Sequence, residues 1–408
     1  MVWAEPITLL QCGQEHFAVA RKAKMTESRI NLALWAMVFG NFVIGTGVLL
    51  PAGLLNQLSA ELDVDTATAG LLLLVGGVVV GIGAPVLAML TTRVDRRLLL
   101  TLSMLLYAVG HLLSAFTNDF WSLLIVRALM ISGAGIFSPQ AAATVGLLVS
   151  NERRASAIAF IFIGWSVASV GGIPIGALLG DWIGWRMVFA LMAALSLLSA
   201  VAVWLTVPPK LFGVPLNLKS WVSVFTSPAL LCILLVTLLS MSGQISVLGY
   251  LGPILKQSTH ATTLQISLAF AIAGGAGVVG NTLGSNMVRS VPVDRVIALA
   301  LVSLCIGFAV FTLMFGNYWG MILGMALWGL GTFSSNSLQQ SRLVQLAPPL
   351  ASATVALNTS AVYMGHAIGS GVGGQILKNG ASQISGWTAL GFLILALITS
   401  LYAKALKA

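Results

Sequence analysis

A chain of 408 residues that is 58% hydrophobic and only 8% charged cannot cover an aqueous surface, since an ordinary soluble domain carries roughly 25% charge. Its solvent must be lipid. The formal charge of +9 would suggest a nucleic-acid partner in a soluble protein; here it reads as basic loops held on one side of a bilayer, and no nucleic acid is expected.

Residues 1–29 contain polar and charged positions throughout, with no apolar core of 7–15 residues ahead of a small-residue cleavage site, and read as a cytoplasmic extension without a secretory leader. Met25, directly ahead of the first apolar run, is an alternative start. From there to the end, runs of about 20 residues or more recur, each able to cross a hydrocarbon layer of ~30 Å. They predict helices at 31–55, 67–91, 97–117, 120–148, 155–180, 185–207, 228–254, 264–287, 293–315, 318–345, 351–377 and 385–404. Backbone polar groups have no partner in lipid, so these runs are helices, and the alternation of a membrane barrel is absent. The expected architecture is an all-α membrane protein of twelve transmembrane helices in two pseudo-symmetric six-helix bundles. These span 30–207 and 228–405, around a cytoplasmic linker at 208–227. Pro208, Pro209, Lys210, Pro215 and Lys219 interrupt the apolar pattern in the linker, and a short interfacial helix is expected over 217–225.

Charge sets the orientation. Arg21, Lys22, Lys24, Arg29, Arg93, Arg96, Arg97, Arg153, Arg154, Lys210, Lys219, Arg289, Arg295, Arg342, Lys404 and Lys407 fall on the side of the termini, and only Arg186, Lys256 and Lys378 on the other. Both termini are therefore expected in the cytoplasm. Cys12, Cys232 and Cys305 have no paired or metal-ligand spacing, so neither a metal nor a cofactor is expected.

The halves resemble each other at an offset of 196 or 197 residues, the mark of parallel repeats. Gly133 to Gln140 falls on Gly329 to Asn336, Ala155-Ser156-Ala157 on Ala351-Ser352-Ala353, and Gly172 and Gly176 on Gly369 and Gly373. Gly172, Gly176 and Gly180, like Gly365, Gly369 and Gly373, each line one helix face and invite a close neighbour. Pro51, Pro85, Pro139, Pro174 and Pro253 each remove a backbone donor and should bend a span.

Several motifs then stand together: Gly45-Thr46 with Gly53-Leu54-Leu55, Ala69-Gly70, Gly83-Ala84-Pro85 leading to Arg93-Val94-Asp95-Arg96-Arg97, Arg127, Glu152-Arg153-Arg154, Pro174-Ile175-Gly176 and Gly184-Trp185-Arg186. On these the region from about 30 to 405 resembles the major facilitator superfamily, and within it the bacterial drug and sugar efflux branch with its drug:proton antiporter-like, arabinose and purine-nucleoside permeases. The resemblance implies two bundles rocking about a midplane substrate site, with Arg93, Asp95, Arg96 and Arg97 in a conformational loop. Departures are equally plain. Where the family loop has an aspartate and a glycine, this chain has Thr92 and Asp95; Ile131 replaces a glycine four residues past Arg127; and Val48 stands where the branch commonly has a glutamate. None of the 11 acidic residues is expected deep in a span, so proton coupling does not carry over.

The polar inventory of the spans supplies the candidates. Arg127 is costly in lipid, on the order of 3 kcal/mol, and either acts on substrate and coupling or ties up carbonyls near Pro51 or Pro139. Asn41, Thr46, Gln140, Gln244 and Asn336 offer both donors and acceptors to a neutral polar substrate, or hydrogen bonds between helices. Gln140 and Asn336 are repeat equivalents, so the pseudo-symmetry brings both toward the axis if either faces it. Trp165, Trp328 and Tyr363 are candidate cavity walls. His366 is the better histidine proton acceptor, ahead of His111. Zinc-helix and phosphate-loop motifs are absent, so the chain is not expected to be an enzyme. The reading is a monomeric secondary transporter in the inner membrane. It would move a small neutral or amphipathic molecule by alternating access, as an exporter with protons the candidate coupling ion, or as an importer or uncoupled facilitator.

Overall fold

The structure, a computed structural model, describes residues 26–91, 93–212 and 218–406. The N-terminal extension with Cys12 and Met25, the Thr92 position and residues 213–217 of the linker lie outside the described residues. Twelve long helices follow one another: α1 Glu27–Glu61, α2 Leu71–Leu90, α3 Arg96–Ala115, α4 Phe120–Leu148, α5 Asn151–Val167 continued by Ile173–Ile183, and α6 Trp185–Thr206. Then come α7 Pro228–Leu248, α8 Thr263–Met287, α9 Val293–Leu313, α10 Tyr318–Leu346, α11 Ala351–Lys378 and α12 Ser385–Ala405. A short helix stands in the linker at Leu218–Phe225.

Ten of the spans are long and apolar enough to cross a membrane by composition alone. The exceptions are α10 and α11, which carry Ser334, Ser335, Asn336 and Gln339, and Asn358, Ser360 and His366. Their polarity is tolerable because these positions turn largely away from lipid.

Packing repeats from one half to the other. In the first, α1 lies on α5 and α6, α3 on α4 and α6, and α2 on α4; in the second, α7 lies on α11 and α12, α9 on α10 and α12, and α8 on α10. The bundles meet through α2 with α11 and α5 with α8, the pairs that the repeat interchanges. The two glycine trios do different work. Added carbons at Gly365, Gly369 and Gly373 would meet the backbone oxygens of Leu238, Ser242 and Ser246 at 2.8, 2.5 and 2.4 Å, whereas those at Gly172, Gly176 and Gly180 would meet the side chains of Thr46, Leu50 and Leu54. So α11 rides on the α7 backbone, while α5 rides on α1 side chains.

Two of the predicted spans depart locally from α-helical geometry. Pro174 has no N–H for the Val170 carbonyl, and α5 widens into a π turn over Ala168–Gly172. In the second half the predicted continuous helix 228–254 breaks at Gly249 and Tyr250 before resuming as Leu251–Thr259, because Tyr250 leaves helical backbone geometry (φ −121°, ψ 18°). By contrast α1 runs through Pro51 and on to Glu61, longer than the expected 31–55.

The first buried cluster holds the N-terminal bundle and takes in Tyr363 from α11. The second holds the C-terminal bundle and takes in Ala52, Leu55, Leu73 and Ile173 from the first half. The bundles therefore share a hydrophobic seam toward the face opposite the termini, here called the far face. Along α2 the seam reaches the other face as well, where Met89 packs on the cluster of Leu234, Leu343, Ala353 and Leu357.

Candidate functional site

On the axis between the bundles lies a void of about 10 Å³, lined by Leu49, Ala52, Leu73, Ile173, Ile245, Leu248, Phe270 and His366. Leu49 and Ile245, and Leu73 and Phe270, are repeat equivalents, so the pseudo-twofold passes through it. Its walls are apolar except for His366, whose ring lies 5.4 Å from that of Tyr363.

Toward the termini from this void, each half carries a polar network joining its first, fourth and fifth helices. In the first half Asn41 Nδ2 donates to Ile161 O (3.0 Å), Ser138 Oγ donates to Asn41 Oδ1 (2.7 Å), and Trp165 Nε1 donates to Ser138 Oγ (3.3 Å). In the second, Thr237 Oγ1 donates to Asn358 Oδ1 (2.8 Å) and Asn358 Nδ2 to Asn336 Oδ1 (3.3 Å). Thr237 is the repeat equivalent of Asn41. Such bonds are worth ~0.6–2 kcal/mol each in a membrane and hold the helices around the axis in register.

The two repeat-equivalent amides face different surroundings. Gln140 is buried and accepts from the Arg96 guanidinium at the start of α3, whereas Asn336 is half-buried beside Asn358. Gln244 is 2% exposed and turns back on its own helix, to the carbonyl and hydroxyl of Ser240. Thr46 faces the π turn of α5 at Gly172. Trp328 stacks on Phe308 with 4.3 Å between ring centroids and meets Phe311 edge-on; it belongs to the α9–α10 packing and lies away from the axis void, a correction to the cavity-wall expectation. Tyr363 does reach the seam, packed into the first bundle's core.

Arg127 is 2% exposed. Its Nε donates to Leu72 O at 2.9 Å, and one terminal nitrogen to Gly47 O at 3.1 Å and Val48 O at 2.7 Å. Gly47 O is the acceptor that Pro51, four residues on, cannot serve, so the guanidinium supplies the missing donor and α1 continues unbroken. Tyr107 and His111 pack beside it, their rings 4.6 Å apart, with His111 fully buried.

At the face of the termini, Asp95 caps α3 through Leu98 N and with its other oxygen accepts from Leu211 N at 2.9 Å, while Arg96 N donates to Leu211 O at 2.8 Å. Arg97 lies 3.9 Å over the Trp204 ring, and Arg93 is exposed. The loop thus grips the start of the linker and the end of α6, all within the first half. In the second half the matching corner is an ion pair, Arg342 to Asp294 at 2.6 Å, with Ser400 as a further acceptor. At the far face Glu61 receives Trp185 Nε1 and Arg186. The far-face acids Asp65 and Asp119 cap the single turn Thr66–Ala69 and the start of α4, and hydrogen bonds from Thr68 and Ser122 hold their carboxyls below the usual carboxylate range. Among the described residues no carboxylate lies deep in a span.

Sequence reasoning passed over Ser138, Asn358, Thr237 and Gln339. The repeat could have found Thr237, through its equivalence to Asn41.

Comparison with known proteins agrees with this architecture. Residues 37–374 match the Major Facilitator Superfamily. The chain is 30% identical over 356 residues to the inner membrane transport protein YdhP of Escherichia coli (strain K12), covering 86% of this chain and 90% of that one. It is 27% identical over 338 residues to a probable sugar efflux transporter of Helicobacter pylori (strain G27), covering 81% and 84%. In fold it is similar to a bacterial homologue of the human lysosomal transporter Spinster, solved in an inward-facing, unoccupied conformation, with a TM-score of 0.71, 15% identity and coverage of 94% and 98%. Twelve spans in two interchangeable bundles, and a family match over most of the chain, make this multi-pass membrane protein a member of the Major Facilitator Superfamily.

Proposed function

We propose that this protein is a secondary transporter that exports a small neutral or amphipathic organic molecule, of the sugar, nucleoside or uncharged drug class, from the cytoplasm by alternating access. The observation that carries the reading is the axis itself: repeat-equivalent apolar walls, one histidine and no carboxylate. A permanent cation entering there would lose its water with nothing to offset the loss. The sugar efflux relative supports the hydroxylated class, and the inner membrane relative supports location in the bacterial cytoplasmic membrane. The termini face the cytoplasm by the bias of Lys and Arg, and His366 is the coupling candidate, since it is the titratable side chain that lines the axis void. Asn41, Thr46, Gln140, Trp165, Gln244, Asn336 and Tyr363 are assigned to the site as the polar and aromatic side chains the spans offer a solute, and Arg127 through its hold on the shape of α1. Val48, standing where the branch has a glutamate, favours an uncoupled facilitator or importer as the second reading.

The test is transport in proteoliposomes across sugars, nucleosides, uncharged drugs and quaternary ammonium drugs, with and without an imposed pH gradient. Neutral solutes should be moved, and His366→Ala should abolish any drive from the gradient. Preference for quaternary cations would overturn the substrate reading. Gradient-driven transport that survives the loss of His366 would remove the histidine from coupling.

A further inference from the structure

Inside the C-terminal bundle, off the axis, α7, α9 and α10 enclose a second void of about 10 Å³, bounded by Thr237, Ser240, Ser335, Asn336 and Gln339 over an apolar floor that includes Val236 and Leu301. Gln339 is 1% exposed, and neither its Oε1 nor its Nε2 meets a protein partner. A buried amide left so is costly, and buried polar groups are nearly always paired with protein or ordered water. Its neighbours are largely committed: Thr237 donates to Asn358, Asn336 accepts from Asn358, and Ser240 Oγ accepts from Gln244.

The chemistry of the walls restricts what can satisfy Gln339. One side chain presents an acceptor and two donors to the same space, so its partner should both donate and accept. An ammonium only donates and a carboxylate only accepts, and no ionised side chain lines the void to balance either. The volume admits about one oxygen atom. We infer that the C-terminal bundle holds a binding position for a single neutral hydroxyl oxygen between Gln339 and the α7 hydroxyls. Two sources share that chemistry: a resident water, or a hydroxyl of the transported solute, reaching it past half-buried Asn336, which also lines the void. The water source is independent of the proposed transport reading, while the solute source rests on it.

The decisive experiment uses the full chain in lipid nanodiscs, comparing wild type with Gln339→Met, which keeps length and volume but removes the amide, and with Gln340→Met as a neighbouring control. Unfolding midpoints are measured without added solute and with D-arabinose, D-xylose or their deoxy analogues. A resident water predicts that Gln339→Met melts a few degrees below wild type in every condition while Gln340→Met does not. A solute hydroxyl predicts that the sugar-induced rise in midpoint is lost in Gln339→Met alone. A structure of the wild type resolving ordered water, with no sugar added, supplies a readout independent of variant folding: density within hydrogen-bonding distance, about 2.7–3.2 Å, of both Gln339 and an α7 hydroxyl supports the resident water. The inference is overturned if Gln339→Met melts at or above wild type and responds to every sugar as wild type does, because an unpaired amide is then all that was removed. Failure of sugar transport with a low-melting Gln339→Met would sink the substrate reading and leave the water position standing.

Discussion

The far-face seam turns on one aromatic ring. Tyr250, 1% exposed at the break after α7, donates its hydroxyl to Ser370 O at 2.7 Å. An added carbon at Gly70, at the start of α2 in the other bundle, would stand 1.9 Å from the phenol oxygen, and one at Gly373 would stand 2.7 Å from the ring. An unstrained carbon–oxygen contact is about 3.3–3.6 Å, so Gly70→Ala demands a displacement of roughly 1.5 Å. The ring cannot yield, being tied to Ser370 and backed by Gly373, so α2 must move off the seam. Overpacking of this kind typically costs ~1–3 kcal/mol, equivalent to a roughly 5- to 150-fold shift away from the conformation closed at the far face. The assay is labelling by a membrane-impermeant maleimide added from the far side. The target is a cysteine at Leu74, which faces Gly371 of α11 across the seam, with the native cysteines replaced by alanine. Gly70→Ala should raise the labelling rate at least fivefold, and adding Tyr250→Phe, which removes the nearest atom, should recover part of the closure. An unchanged rate in a monodisperse variant with a wild-type melt would refute the wedge.

Two further outcomes follow from particular contacts. Arg127→Ala strands the Gly47 carbonyl that Pro51 leaves without a donor, at a cost of about 1–3 kcal/mol, so expression and melting midpoint in detergent should fall; Arg127→Lys should recover little, because a point charge cannot span acceptors on α1 and α2 as the planar fork does. An alanine variant that melts normally yet fails to transport would instead put the guanidinium on the substrate. For orientation, a reporter active only outside the cytoplasm should be silent when fused after Gly213 and active when inserted near Asn317; the reverse pattern would invert the protein.

The sequence makes the number of spans and their pairing legible because lipid leaves a strong hydropathy signal and the repeat doubles it. The prediction at 120–148 coincides with Phe120–Leu148. Bends were harder. Proline marks where a donor is missing, but not whether the backbone widens, as before Pro174, or finds a guanidinium, as before Pro51. Which face of a span looks at the axis is the least legible feature, since both lipid and core accept apolar side chains. Trp328 could be assigned to a cavity or to Phe308 with equal reason until the packing was known. The equivalence of Gln140 and Asn336 was readable, but their different partners were not, because Arg96 comes from a loop whose spacing the repeat does not preserve.

The distribution of buried charge bears on what can pass between the bundles. Arg96, Arg127 and Arg342 are all nearly inaccessible, and among the described residues the acid that pairs with any of them is Asp294, in the first turn of α9. Arg96 is held by an amide and Arg127 by carbonyls, neutral acceptors that do not cancel their charge. The N-terminal bundle therefore holds two buried guanidiniums, those of Arg96 and Arg127, with no buried carboxylate against them among the described residues, in a medium that screens them poorly. That field opposes entry of a cationic solute and leaves a neutral one unaffected.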